Sequence, residues 1–336
     1  MDTNLRPLTF SELLDRTAQL YRQNFLLFAG IAAVYAGAVM VIRLVLISVQ
    51  HVLRSYHMVH QLAWFTGISV VVMWIGMLVL GGLGVAANNR AVAWVHLGQP
   101  ATIRGAYASV MQRLGRYIWL MVITTTVVWL PVILLYAGYV VFIALYVRPR
   151  GLLNQAQAAG QVNEQAMVVF GMVSVVFALL LMAGIAYAVV MSLRYALAVP
   201  ACVVEDTKAR TSIRRGIELS KGSRGRILGF MLLVAVVQFI LVLFTQTFFI
   251  VMAVRQHGQM SYVLQVAQQI VTFFTNTFVG PIYATGFTLF YYDQRVRKEG
   301  FDIEWMMQAA GLTPAPAGIP AETLPVTERP PESTHE

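Results

Sequence analysis

From Leu62 to Ala87 the chain runs 26 residues without a charged side chain. A helix needs about 20 apolar residues to cross a hydrocarbon core of about 30 Å, and there it must satisfy its own backbone polar groups. Similar runs occupy Phe25–Val49, where Arg43 is placed to snorkel at the far interface, Tyr117–Val147, Met167–Leu193 and Ile227–Val254, and a sixth, more polar run ends near Tyr292. With 58% hydrophobic residues, 12% charged and a mean hydropathy of +0.68, no soluble core explains so much apolar length. The pattern predicts an all-α polytopic membrane protein with six transmembrane helices. Pro131 and Gly280-Pro281 are the expected bends. Gly81, Gly82 and Gly84 mark a close helix approach.

Three amphipathic stretches precede alternate spans. Phe10, Leu13, Leu14, Thr17, Ala18 and Tyr21 fall on one helical face, and Thr9 with Glu12 fits a capping box. Ile103, Ala106, Tyr107, Val110, Met111 and Leu114 repeat that spacing. In the third stretch Ala209, Ile213, Gly216, Ile217 and Ser220 share a face, with Arg210, Arg214 and Lys221 on another. Such faces lie in the headgroup region or pack on neighbouring helices.

Charge sets the orientation. Six spans put both termini on one side, which collects 19 of the 24 Lys and Arg residues. The positive-inside rule makes that side cytoplasmic. The order amphipathic helix, span, loop, span then occurs three times, as parallel repeats of about 1–98, 99–205 and 206–304. Shifted by 110 positions, Ile103/Ile213, Gly115/Gly225 and Arg116/Arg226 coincide; Arg16/Arg215 and Leu20/Leu219 tie in the first copy. Residues 305–336 form a Pro-rich tail, expected to be a disordered cytoplasmic segment.

The chemistry is sparse. Of fifteen Asp and Glu residues only Glu164 lies on the outer side and none lies within a span, which weighs against a proton-coupled carrier. Glu205 and Asp206 read as interfacial ion-pair partners of Lys208, Arg210 and Arg214. His51, His57 and His60 sit in one loop without a carboxylate or cysteine beside them, so they read as solvated and not as a metal site. Cys202 is the single cysteine, which excludes an intrachain disulfide. No nucleotide, zinc-protease or hydrolase motif occurs, and no cofactor or catalytic residue is predicted. The net charge of +9 belongs to short loops beside apolar runs, so the basic partner is an anionic lipid surface and not nucleic acid.

Arg6-Pro7-Leu8 with Glu12, Leu13, Asp15, Arg16 and Tyr21-Arg22 opens the chain. Arg194, Pro200, Glu205 and Ile213-Arg214-Arg215 through Leu219 lie in its middle, and Tyr291-Tyr292-Asp293, Arg295 and Arg297-Lys298-Glu299-Gly300-Phe301-Asp302 near its end. Over about residues 5–304 these stretches resemble a bacterial membrane-protein family. The family is named for the membrane domain of glycerophosphoryl diester phosphodiesterases. In the proteins that name it, a separate soluble barrel performs hydrolysis. Only 44 residues follow Tyr292, so the resemblance implies neither that activity nor a catalytic residue.

The expected function is that of a non-enzymatic scaffold or lipid-associated accessory module in the bacterial plasma membrane. Its anionic headgroup contacts would be Arg104, Arg116, Arg214, Arg215, Lys221, Arg224 and Arg226. The alternative is a transporter or lipid carrier, with a cavity between the last two spans lined by Gln238, Gln246 and Asn276.

Overall fold

The computed structural model describes residues 6–147, 164–256 and 260–309, and every regular element among them is helical. Helix α1 (Phe10–Gln23) is followed by α2 (Phe25–Ser55) and α3 (Val59–Gly76). A π-helical turn at Met77–Gly81 carries α3 into α4 (Gly82–His96). Then come α5 (Ile103–Met111), α6 (Leu114–Phe142) with a π turn at Ile143–Val147, α7 (Glu164–Tyr195) and the short α8 (Ala198–Val204). The chain continues through α9 (Ala209–Ser220), α10 (Arg224–Arg255), α11 (Tyr262–Glu299) and α12 (Phe301–Ala309).

Among the described residues five helical stretches are long and apolar enough to cross a membrane: Phe25–Ser55, Val59–His96, Leu114–Tyr146, Met167–Val204 and Arg224–Arg255. Helix α11 is 38 residues long but carries Gln265, Gln268, Gln269, Thr272, Thr275 and Asn276 in its first half, and it is not among the five. In the most apolar stretch of each of the five, 6–28% of residues are buried. Most of that surface therefore faces outward, as lipid contact requires.

Two expected bends are absent as helix breaks, since α6 runs on through Pro131 and α11 through Pro281. Within spans a proline's missing N–H is tolerated where neighbours supply replacement bonds. One turn before Pro281 in α11, the Tyr21 hydroxyl donates to the Phe278 carbonyl at 2.6 Å. The helices also end later than their polarity suggested. Asn88–Arg90 lies inside α4, and Asp293–Glu299, beyond the expected end of the sixth run near Tyr292, completes α11. Phe301–Ala309 is helical too; the rest of the expected disordered tail, and residues 148–163, lie outside the described residues.

The core sits at one end of the bundle. Two clusters contain nearly all of the fully buried large side chains. They combine Phe28 and Ile31, Ala86–Val92, Tyr117 and Leu120, Ala198–Val203, Ile227 and Phe230, and Phe287–Tyr292. Most charged side chains gather at the same end, hereafter the basic end.

The short helices are packed into this core. The capping box at Thr9 and Glu12 is present, and α1 buries Leu13, Thr17 and Leu20. Helix α5 buries Ala106 and Val110. Helix α9 buries Ala209, Ser212, Gly216, Leu219 and Ser220, a face rotated from the expected one, with Ile213 and Ile217 half-buried. The rotation has a local cause: a methyl on Gly216 would stand 2.6 Å from the Ala198 backbone nitrogen, so α9 lies backbone against backbone on α8.

One set of neighbour relations recurs. Helix α5 packs on α4 and α2, α9 packs on α8, α7 and α6, and α1 packs on α11, with Phe10 over Gly229 of α10. Each long helix that follows a short one buries its fourth and seventh residues: Phe28 and Ile31, Tyr117 and Leu120, Ile227 and Phe230.

Candidate functional site at the basic end

Three carboxylate-centred knots hold this end together. At the first, Asp293 of α11 has a fully buried side chain. Its Oδ1 accepts from the Leu8 backbone N–H at 2.8 Å, and its Oδ2 from Arg226 Nη1 of α10 at 3.0 Å. Arg297, one turn on, donates from Nε to both oxygens at 3.1 Å. Arg226 and Arg297 also donate to the Leu8 carbonyl. A buried carboxylate is tolerated only when paired and hydrogen-bonded, and here two guanidiniums and an amide do both.

At the second knot Glu205, just past α8, accepts from Arg215 Nε at 3.0 and 3.2 Å and from the Tyr291 hydroxyl at 2.7 Å. Arg215 Nη2 reaches Glu299 Oε1 at 2.6 Å, and Arg295 Nε reaches Glu299 Oε2 at 3.0 Å. Burial opposes the Arg215 charge, but the bonds and charges of Glu205 and Glu299 outweigh it, so its proton is held more firmly than usual.

The third knot is Asp206, in the left-handed region at φ 52°. Its Oδ1 accepts from Arg90 Nη2 at 2.9 Å and pairs with Arg113, while Arg116 donates to its backbone carbonyl. Lys298 Nζ closes the end of α9 by donating to the carbonyls of Glu218, Leu219 and Lys221 at 2.8, 3.1 and 2.7 Å. Glu205 and Asp206 are thus ion-pair partners, but of Arg215, Arg90 and Arg113 in place of the sequence neighbours Lys208, Arg210 and Arg214.

The seven basic residues singled out for headgroup contact divide into two groups. Arg116, Arg215 and Arg226 are part-buried and bonded within the knots. Arg104, Arg214, Lys221 and Arg224 are exposed. Arg214 has only a 3.9 Å approach to Glu218, and its side chain is 85% exposed, which makes that pair energetically negligible.

The three residues proposed to line a cavity are dispersed. Gln246 accepts from Gln268 Nε2 at 2.7 Å, Gln238 is half-buried and Asn276 is exposed. The hollow of about 780 Å³ between α10 and α11 is walled by Ile240, Leu243, Phe244, Phe248, Phe249 and Val271, with Thr245 and Thr247 as its only polar side chains. Both threonine hydroxyls already donate to backbone carbonyls one turn back.

The histidines of the first loop go separate ways: His51 stacks on Tyr262 at 4.8 Å, and His60 accepts from the Trp64 indole at 3.2 Å. Among the described residues no group of three His, Cys, Asp or Glu side chains has the proximity to hold a metal ion. As ion-pair partners only Glu205 and Asp206 were foreseen; Tyr291, Asp293, Arg297 and Glu299 stood out in the sequence only through the resemblance, with nothing to say that they meet.

No protein-family model matches the chain, and no curated protein or solved structure shows significant similarity to it.

Proposed function

We propose that this is a non-enzymatic module of the bacterial plasma membrane, a scaffold or lipid-associated accessory protein. It would belong with the family built on the membrane domain of glycerophosphoryl diester phosphodiesterases. One observation carries the reading. The three stretches that resemble that family, far apart in sequence, meet in one place: Leu8 on Asp293 and Arg297, and Glu205 and Arg215 on Tyr291 and Glu299. Residues that interlock in this way specify a membrane-anchored platform. They consume the carboxylates that acid–base chemistry would need.

In this reading α11 is the sixth span. The units 1–98, 99–205 and 206–304 are parallel repeats arranged as a ring, with α1 closing it on α11. The recurring buried pairs Phe28/Ile31, Tyr117/Leu120 and Ile227/Phe230 support the repeat. The basic end faces the cytoplasm, where Arg104, Arg214, Lys221 and Arg224 meet anionic headgroups.

The test is reversal of those four exposed charges to Glu in protein reconstituted with brominated lipids, reading quenching of its six tryptophans. The wild type is expected to prefer anionic over zwitterionic lipid and the fourfold variant to lose that preference. An unchanged preference would sink the reading. Arg116, Arg215 and Arg226 are left alone because their loss would unfold the basic end.

A further inference from the structure

At the seam where α1 meets α10 and α11 there is an open groove of about 360 Å³. Its floor and walls are mainly apolar, with Leu14 from α1, Leu233, Val234 and Val237 from α10 and Ile282 from α11, while the lining hydroxyls of Thr17 and Tyr21 are already spent on the Leu13 and Phe278 carbonyls. At its rim stand Asp15 and Arg22, seven residues apart on α1 and therefore about 10 Å apart along the axis. The side chains of Asp15 and Arg22 are both exposed, and neither makes a hydrogen bond or ion pair among the described residues. Asp293, Glu205, Glu299 and Asp206 are each held by guanidiniums, whereas here an unpaired acid and an unpaired base flank one apolar slot.

The corresponding seam at α5 is shut. Ile103 covers Gly30, whose added methyl would stand 2.5 Å from it, and the Tyr107 hydroxyl donates to the Ile31 carbonyl at 2.8 Å. At the α1 seam Phe10 covers Gly229 in the same way, with 3.3 Å to an added methyl. The place of Tyr107, four residues past Ile103, is taken by Leu14, four past Phe10. Leu14 is shorter and has no hydroxyl to reach the next helix.

We propose that this groove holds one phospholipid whose headgroup carries both a phosphate and a primary ammonium. An acyl chain lies along Val234, Val237, Val279 and Ile282, Arg22 donates to the phosphate, and Asp15 accepts from the ammonium. The chemistry picks this lipid over an anionic one, because the rim offers one charge of each sign while the rest of the end is basic. The proposal rests on reading the chain as a lipid-associated membrane module.

Native mass spectrometry of the intact protein in mild detergent tests it, with dioleoyl phosphatidylethanolamine, phosphatidylglycerol or phosphatidylcholine added. The wild type is expected to retain one phosphatidylethanolamine per chain in preference to the other two. Arg22→Gln should weaken retention of all three about tenfold, the worth of one charge-assisted hydrogen bond. Asp15→Asn should erase the preference for the primary ammonium, and Val237→Trp should fill the slot and abolish retention. Both rim residues are exposed, so those variants fold even if Val237→Trp does not. Equal retention of phosphatidylglycerol by the wild type, or wild-type behaviour of both rim variants, overturns the proposal. Tryptophan quenching in the rim variants should keep the anionic preference of the surrounding lipid, so a failure of the groove is distinguishable from a failure of the broader reading.

Discussion

Asp293 and Arg214 are both charged residues at the basic end, yet they stand at opposite energetic extremes. Asp293 is fully buried and joins three segments: the N-terminal approach at Leu8, the start of α10 through Arg226, and its own helix through Arg297. Replacing it by Asn keeps the shape but leaves two guanidiniums facing each other without a counter-charge. Breaking a buried pair from one side costs about 3–5 kcal/mol, and the low end applies because Arg226 and Arg297 retain solvent access. We therefore expect Asp293→Asn to destabilise the protein by about 3 kcal/mol in chemical denaturation of detergent-solubilised protein. Arg214→Gln should change stability by less than about 0.5 kcal/mol, since its one pair is long and solvated. Equal effects of the two substitutions would show that burial does not rank these charges.

Helix α1 shows at the scale of an element how far sequence carries. Its start is a local property: Glu12 accepts from the Thr9 backbone N–H at 2.7 Å, and the Glu12 N–H donates to the Thr9 hydroxyl at 3.3 Å. The bond from the Thr9 backbone N–H, then the one the Thr9 hydroxyl donates to Glu12 Oε2 at 2.9 Å, holds the Glu12 carboxyl below its ordinary value of 4.5. A depressed carboxylate contributes stability that is complete above the unfolded value and is lost as pH falls through the folded one. Protection of α1 from proteolysis should accordingly fall as the pH is lowered below about 4.5, and Glu12→Gln should flatten that fall. Apolar spacing and caps of this kind depend on residues within a turn of one another, so they were readable in advance. The ends of α4 and α11 were not, because Asn88, Asn89, Arg90, Asp293 and Arg297 look like water-seeking loop residues. Their partners, Thr288 for Asn89, Asp206 for Arg90 and Leu8 for Arg297, lie 116 to 289 positions away. The face of α9 was misjudged for the same reason. Gly216 is buried because of Ala198, a contact that no periodicity within α9 encodes.

At the scale of the whole molecule, the Leu8–Asp293 bond bears on topology. Two residues in contact at one end of a bundle are joined by an even number of crossings. Five helices between them are apolar enough to cross, so α11, which ends at the same knot, supports a count of six. Part of its polar first half is bonded internally, which eases its passage through lipid: Gln268 donates to Gln246, Thr272 to the Gln268 carbonyl and Thr275 to the Val271 carbonyl. At 1.5 Å per residue its 38 residues reach about 57 Å, enough to span the hydrocarbon core and still enter the basic end. Single cysteines separate the possibilities, with the native Cys202 buried and out of reach of reagent. Ser261→Cys lies just before α11 and Ile303→Cys just after it, and both positions are exposed. In intact cells a membrane-impermeant maleimide should label residue 261, and residue 303 only after lysis. Gln112→Cys, between α5 and α6 at the basic end, should behave like 303, because the short helices all sit on one side. Labelling of 261 and 303 from the same side would remove α11 from the set of spans. The proposed ring of three units would then lack its closing span.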